Sequence, residues 1–195
     1  MSKPAINAYD FDHTIYDGDA SFDFIAYCLL RYPKTWIFLP LQFIAIVRYL
    51  LGQWSRKQVK QAAFAFLRVL PDAQSVIAAF WDTHGSKIKP WYLQQKHASD
   101  LIVSASPEFL LEPITRTLGI ALPIGTVMDI HTGKITGENC RAGEKVKRLH
   151  KYDPLLKIAN CYSDSRSDMP LLQLATNAYL VKKHVVAPLR HDSIG

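Results

Sequence analysis

Cysteine is scarce in this chain, and the little there is does not form a framework. Only Cys28, Cys140 and Cys161 occur in 195 residues. An odd number at wide spacing fits a reducing compartment better than a disulfide scaffold, and no C-x-x-C pair suggests zinc. The seven histidines show no H-x-x-x-H ligand spacing and read as incidental. Internal repeats and low-complexity segments are absent. The N-terminus lacks a signal-peptide pattern, because Lys3 is followed at once by strand-like residues and an acidic motif; a cytoplasmic chain is expected. The apolar stretch Trp36–Leu51 is shorter than the ~20 residues of a membrane span, and Pro40, Gln42 and Arg48 interrupt it.

What is present supports a packed domain. The chain is 49% hydrophobic and 21% charged, enough for one sizeable core, or a core with a small accessory module, and too apolar for disorder. The net charge of +6 attracts phosphorylated ligands, anionic membranes or nucleic acid, and it equally suits a merely soluble basic protein, since net charge alone identifies no partner. The basic residues are scattered, and no nucleic-acid-binding motif accompanies them, so no nucleic-acid partner is expected.

The hydrophobic pattern changes character along the chain. Ala5–Tyr9 reads as a buried strand. Helical spacing then runs to about residue 95: Phe22, Ile25, Ala26, Leu29 and Leu30 recur on one period, and Ser55 with Gln58 forms a capping box. Behind that box Val59, Ala63, Phe66, Leu67 and Leu70 make a face that Pro71 ends, and Asp72 opens another helix. Strand signals return at Asp100–Ser104. Ser106-Pro107-Glu108 reads as N-cap, first-turn proline and first-turn acid of a helix that ends at Gly119, with Pro113 predicting a kink or break. Thr126–Ile130 and Lys134–Thr136 read as a hairpin, Glu144–His150 as a short helix with a Glu144–Arg148 pair, Leu156–Tyr162 and Ala178–Val181 as strands. Alternating strands and helices imply an α/β fold with a mostly parallel sheet. The helical block interrupts that alternation, so residues 1–17 and 84–195 are expected to form the core and 18–83 an inserted helical cap.

Chemistry concentrates at the ends of these elements. Asp10 and Asp12 follow the first strand, where open α/β sheets place their ligand crevices. Two acids packed there repel unless a cation or a proton offsets them. Ser104 ends the second strand, Lys145 begins a short helix, and Asp164 and Asp168 follow the strand ending at Tyr162. Acids for a hard cation, a hydroxyl and a lysine together match phosphoryl transfer, whose charge must be neutralised and positioned.

In these motifs the chain resembles the haloacid dehalogenase superfamily, specifically the phosphoserine-phosphatase-like branch with a helical cap. The matching segments are Asp10-Phe11-Asp12-His13-Thr14, Ile102–Ser106, Gly143-Glu144-Lys145 and Tyr162–Asp168, in the family's order and over essentially the whole chain. The resemblance implies a Rossmann-like core and a Mg²⁺-dependent phosphomonoesterase working through an aspartyl-phosphate. It implies Asp10 as nucleophile, and Asp12 as the acid that protonates the leaving oxygen and then activates water. The metal would be held by Asp10, the Asp12 carbonyl and Asp164, with Asp168 behind them holding a metal-bound water or Lys145. Ser104 and the Ala105 N–H would hold phosphate oxygens, Thr14 would fix the loop, and Lys145 would neutralise charge.

The chain departs from that branch at Ser163, Ser167 and Ala105, where relatives often carry glycine, asparagine and glycine. This weakens phosphoserine itself as the substrate and leaves a small phosphorylated metabolite. Asp19 stands where phosphoserine phosphatases carry a substrate-facing glutamate, and it equally suits a helix cap. The Trp36–Leu51 run reads first as cap core. A second reading makes it an interfacial segment that meets anionic lipid through Arg48, Arg56, Lys57 and Lys60. In this the chain is also similar to the phosphatidylglycerophosphatase members of the branch. A catalytically silent protein that binds a phosphorylated ligand is the competitor from another class. The tryptophans are expected to pack the cap and its hinge, and His13 to shape the loop.

Overall fold

A computed structural model describes residues 5–189; Lys3, expected just ahead of the first strand, lies outside them. β1 (Ile6–Tyr9) is central in a six-stranded sheet with β2 (Leu101–Pro107), β3 (Ile124–Thr126), β4 (Ile158–Ser163), β5 (Ala175–Lys182) and β6 (Val185–Pro188). The order is β3-β2-β1-β4-β5-β6, parallel throughout except for the β5–β6 hairpin. From β1 the chain builds outward through β2 and β3, then returns to the other side of β1 for β4. The crevice between β2 and β4, at the carboxyl end of β1, is therefore the topological switch point at which such sheets bind ligands.

Side-chain ladders pin the register. Asn7, Asn160 and Asn177 sit opposite one another on β1, β4 and β5, and their amides bond in series at 2.8 and 3.1 Å, with Asp100 accepting at the end. Two residues on, Tyr9, Tyr162 and Tyr179 stack with 4.7 Å between successive ring centroids. A one-residue slip would turn both ladders to the wrong face. β6 was not foreseen; its turn runs through Lys183 at φ 55°, without the glycine or asparagine that marks such hairpins.

Between β1 and β2 lie α1 (Ala20–Arg31), α2 (Leu39–Leu50), α3 (Arg56–Ala63), α4 (Ala73–His84) and α5 (Pro90–Gln95), joined in part by short 3₁₀ turns. The segment leaves and rejoins the sheet side by side: Asp17 N–H donates to Lys87 O and Lys89 N–H to Ile15 O. Ser55 and Gln58 form the expected capping box, and Asp72 caps α4. The face expected as one helix after Ser55 divides, however: α3 stops at Ala63 and a 3₁₀ turn carries Ala65–Val69. α1 is present, but it buries Ala20, Phe24, Tyr27 and Cys28, while Phe22 and Leu30 face solvent.

Trp36–Leu51 is not the core of this segment. Only Ala45 of α2 is buried; Phe43 is 68% and Leu50 77% exposed, and Trp36 projects outward at 56%. The buried rings are supplied instead by Phe24, Phe64, Phe66 and Phe80, so the interior was already full. Among the other tryptophans, Trp81 packs on Phe11 and Tyr16 near the stems, whereas Trp91 lies on the sheet tyrosines Tyr9 and Tyr162 rather than in the helical segment. No single helix among the described residues is long and apolar enough to cross a membrane.

Two further expectations changed. β2 continues through Pro107, and α6 (Glu108–Leu118) starts at Glu108; Ser106 is not its cap, because that hydroxyl bonds elsewhere. α6 runs through Pro113 without a break and ends at Gly119 in the left-handed conformation, as expected. The hairpin around Gly133 forms only one bridge, Met128 to Ile135, and its tip abuts the helical segment: a Cβ on Gly133 would lie 2.4 Å from Phe64 O. α7 (Gly143–Tyr152) and α8 (Met169–Leu172) complete the fold, with Glu144 and Arg148 3.4 Å apart as read from the spacing.

Candidate active site

β1 delivers Asp10 to the sheet edge, where its backbone N–H bonds to Tyr162 O on β4. The next residues turn sharply: the N–H groups of Thr14, Ile15 and Tyr16 converge on Phe11 O, and His13 adopts φ 57°. That left-handed residue is secured on both sides. Its N–H donates to Gly18 O, and its carbonyl accepts from the buried Nζ of Lys89, which also donates to Lys183 O at 2.5 Å. His13 thus shapes the loop.

Lys145 Nζ, at the start of α7, lies 2.8 Å from Asp10 Oδ1 and 2.6 Å from Asp168 Oδ2, and all three residues are buried. Ser163 Oγ donates to the same Asp168 oxygen at 2.8 Å. Asp164 N–H donates to Thr14 Oγ1 at 2.9 Å, so the loops after β1 and β4 are latched together, and the Asp164 carboxyl meets that of Asp10. Burial pushes Asp10 up to about 7 against the pull of Lys145, with the charges of Asp168 and Asp12 adding to the rise. Burial also raises Asp164. For Lys145 burial works downward, but Asp10 and Asp168 hold it well above the usual lysine range.

Asp12 points to the other side of the loop. Ala20 N–H, at the start of α1, donates to its Oδ1 at 2.7 Å, and Ser106 Oγ to its Oδ2 at 2.6 Å. Burial, with Asp19 second, pushes Asp12 up to about 6 against these two bonds. A carboxyl held in place and poised near neutrality suits proton transfer in both directions. Ser104 is fully buried, its Oγ accepting from Ser106 N–H at 3.0 Å, and Ala105 lies next to it with its carbonyl taken by Lys60 Nζ and Thr126 Oγ1. Asp19 caps α1 by accepting from Phe22 N–H at 2.8 Å.

Asp10, Asp12, Thr14, Ser104, Ala105, Lys145, Asp164 and Asp168 thus come from the carboxyl ends of β1, β2 and β4 and the start of α7. Sequence reasoning missed Ser106 and Lys89, and it read Lys60 only as a lipid contact. Ser106 carries no signal of its own in a strand; Lys89 could have been suspected only as a lysine at the edge of the helical segment. Lys60, pushed down to about 8 by burial, reaches back from α3 to the strand end. With Arg56, Arg141, Tyr49 and Asn139 it lines a cavity of about 370 Å³ beside Ala105. A larger cavity of about 700 Å³, beside Leu122 and Tyr152, contains none of the converging carboxylates.

No three His, Cys, Asp or Glu side chains among the described residues close a ready-made metal cage. A magnesium ion does not need one: it takes one or two carboxylates and fills its remaining positions with water and phosphate oxygens. The Asp10 and Asp164 carboxyls, with the Asp12 carbonyl, fit that demand, and the charge that Asp168 and Asp12 bring to bear on buried Asp10 is the kind a divalent cation relieves.

Comparison with known proteins agrees with this fold. Protein CicA of Caulobacter vibrioides is 30% identical over 190 residues, covering 89% of this chain and 84% of its own. A structure of a protein of unknown function from Bordetella pertussis Tohama I superposes with a TM-score of 0.70 at 20% identity, covering 91% of this chain and 89% of that one. A probable phosphoserine phosphatase from Vibrio cholerae gives 0.64 at 16% identity, over 90% of this chain and 55% of its own. Residues 8–173 match the sequence profile of the haloacid dehalogenase-like hydrolases, a span that runs from β1, just ahead of Asp10, past Asp168. With that match and the sheet order that gathers these side chains, the chain belongs to the haloacid dehalogenase-like hydrolase family.

Proposed function

We propose that the protein is a Mg²⁺-dependent phosphomonoester hydrolase working through a phosphorylated Asp10, with a small phosphorylated metabolite as substrate. The observation that carries this reading is Lys145, buried between Asp10 and Asp168 with its ammonium within 2.8 Å of both. A structural pair would need one acid; this lysine faces a carboxylate cluster that keeps excess negative charge at a crevice.

An Asp10 oxygen attacks phosphorus while the bond to the leaving oxygen breaks, and Asp12 gives its proton to that oxygen. Asp12 then takes a proton from water, whose oxygen attacks phosphorus and releases Asp10 with inorganic phosphate. Asp12 suits both steps because Ala20 N–H and Ser106 Oγ hold its carboxyl and its pKa stands near 6. Lys145 keeps Asp10 oriented and offsets charge on the phosphoryl group. Ser104 and the Ala105 N–H hold phosphate oxygens, Thr14 fixes the loop, and Asp168 positions Lys145. Mg²⁺, held by Asp10, Asp164 and the Asp12 carbonyl, would supply charge neutralisation and alignment of the phosphate. Residues 18–83 serve as the cap, with residues 1–17 and 84–195 as the core. Its stems pair where Asp17 meets Lys87, and its closure excludes water from the crevice. Asp19 either faces the substrate or serves only as the cap of α1.

Hydrolysis of p-nitrophenyl phosphate tests the reading. Turnover is expected with Mg²⁺, lost with a chelator, and lost in Asp10→Asn with fold and thermal stability retained. Turnover retained in that variant overturns the nucleophile, and none in the native chain leaves a silent binding protein as the answer. A lipid headgroup phosphate is the second reading for the substrate, favoured by the exposed apolar α2.

A further inference from the structure

We propose that α2 and the turn before it form a docking face for an anionic lipid surface. Exposed apolar residues are ordinary when scattered, but here they are contiguous. Trp36, Ile37, Phe43, Ile46, Leu50 and Leu51 are each more than half exposed, and α2 is apolar nearly all round. Helices of that composition are normally buried in a protein or a membrane. Twelve residues make α2 about 18 Å long, well under the ~30 Å of a hydrocarbon core. It therefore suits lying in the interface, not spanning it.

Charge selects the occupant. Residues 24–71 contain no Asp or Glu but seven Lys or Arg, from Arg31 to Arg68. Among the described residues only Lys57 of the seven forms a salt bridge, with Glu138. Arg48 lies over Trp54 and Arg56 over Tyr49, so cations flank both the end of α2 and the start of α3. A second copy brought against this face would set cation against cation. Anionic headgroups complement it, while the apolar side chains enter the acyl boundary and basic side chains stay at headgroup level. The cavity lined by Arg56, Lys60 and Arg141 is bordered by Tyr49 of α2 and by Ala105 of β2. An anionic group at the docked surface therefore lies next to Ala105, the residue whose N–H is assigned to the phosphate. This last point rests on the proposed phosphatase reading; the docking does not.

The test is cosedimentation of the full chain with sucrose-loaded vesicles, of phosphatidylcholine alone or containing phosphatidylglycerol. Binding is expected to be at least about tenfold tighter to the anionic vesicles and to weaken as salt is raised. Phe43→Glu and Leu50→Glu are each expected to weaken it by about tenfold or more. Both positions are exposed, so both variants should retain native turnover of p-nitrophenyl phosphate, which also verifies folding. The proposal fails if the native chain binds neither vesicle, or if neither substitution weakens binding. It fails equally if sedimentation shows a dimer that Leu50→Glu dissolves, which would make the face an interface between copies. Failure of the phosphatase reading looks different: no aryl phosphate turnover, with vesicle binding intact.

Discussion

Replacing Lys145 by methionine isolates the electrostatics of the crevice, because the substitution keeps most of the volume and removes the charge. Lys145 is 2% exposed and touches both Asp10 and Asp168. Without it, Asp10 and Asp168 lose the cation that bonds to both among the described residues, and breaking such a pair costs about 3–5 kcal/mol. The protein can avoid that cost by protonating a carboxyl. For a group whose unfolded pKa is about 3.9, this costs about 1.5 kcal/mol at pH 5 but about 5.6 kcal/mol at pH 8. Protonation is therefore the cheaper route only in acid. Lys145→Met is expected to lower stability by about 3–5 kcal/mol at pH 8 and by about 1–2 kcal/mol at pH 5, measured by urea denaturation without added metal. A loss below about 1 kcal/mol at pH 8, or an equal loss at both pH values, would refute the reasoning and reduce Lys145 to a packing residue.

The same charges make the native chain pH-sensitive. Asp10 and Asp12 are raised to about 7 and 6, so between pH 4 and 7 the folded state holds more protons than the unfolded. Stability conferred by this linkage is full in acid and declines as pH rises through those values; thermal unfolding of metal-free protein should show the decline, and Mg²⁺ should offset more of it at pH 8 than at pH 5. Ser106→Ala removes a donor to the charged form of Asp12, so the limb of the pH–rate profile near 6 should move upward while Mg²⁺ affinity stays unchanged; an unmoved limb would exclude the contact from catalysis. Lys89→Met leaves the His13 and Lys183 carbonyls without their buried donor and should cost about 1–3 kcal/mol in chemical denaturation. Gly133→Ala should cost at least about 1 kcal/mol, because Gly133 has φ +71° and a Cβ would press on Phe64 O; a neutral result would mean that the hairpin tip is free to move away from the helical segment.

Much of the fold was legible because its signals are local. Ser55 with Gln58, Asp72 and Gly119 end helices through bonds to neighbours a few residues away, so spacing alone reveals them. The signals that misled depend on distant partners. Ser106 has the sequence of a helix cap, yet its hydroxyl is drawn to Asp12, 94 residues earlier. Trp36–Leu51 has the composition of a core, yet phenylalanines from α1, α4 and the 3₁₀ turn between α3 and α4 already fill the interior. β6 forms because β5 offers it an edge, which no feature of Val185–Pro188 announces.

Residue type and order by themselves determined which groups are candidates for the site: Asp10, Asp12, Ser104, Lys145, Asp164 and Asp168 stand out because each follows or begins a periodic element. Their relations were decided only by the tertiary structure. The sheet order puts β2 and β4 on opposite sides of β1, and the packing around that crossing sets Lys145 between two acids 135 and 23 residues away. The same packing ties Asp12 to Ser106 and leaves α2 uncovered. Burial and charge pairing act through space, so their consequences, raised carboxyl pKa values and an exposed apolar helix, exist only once the chain has closed on itself.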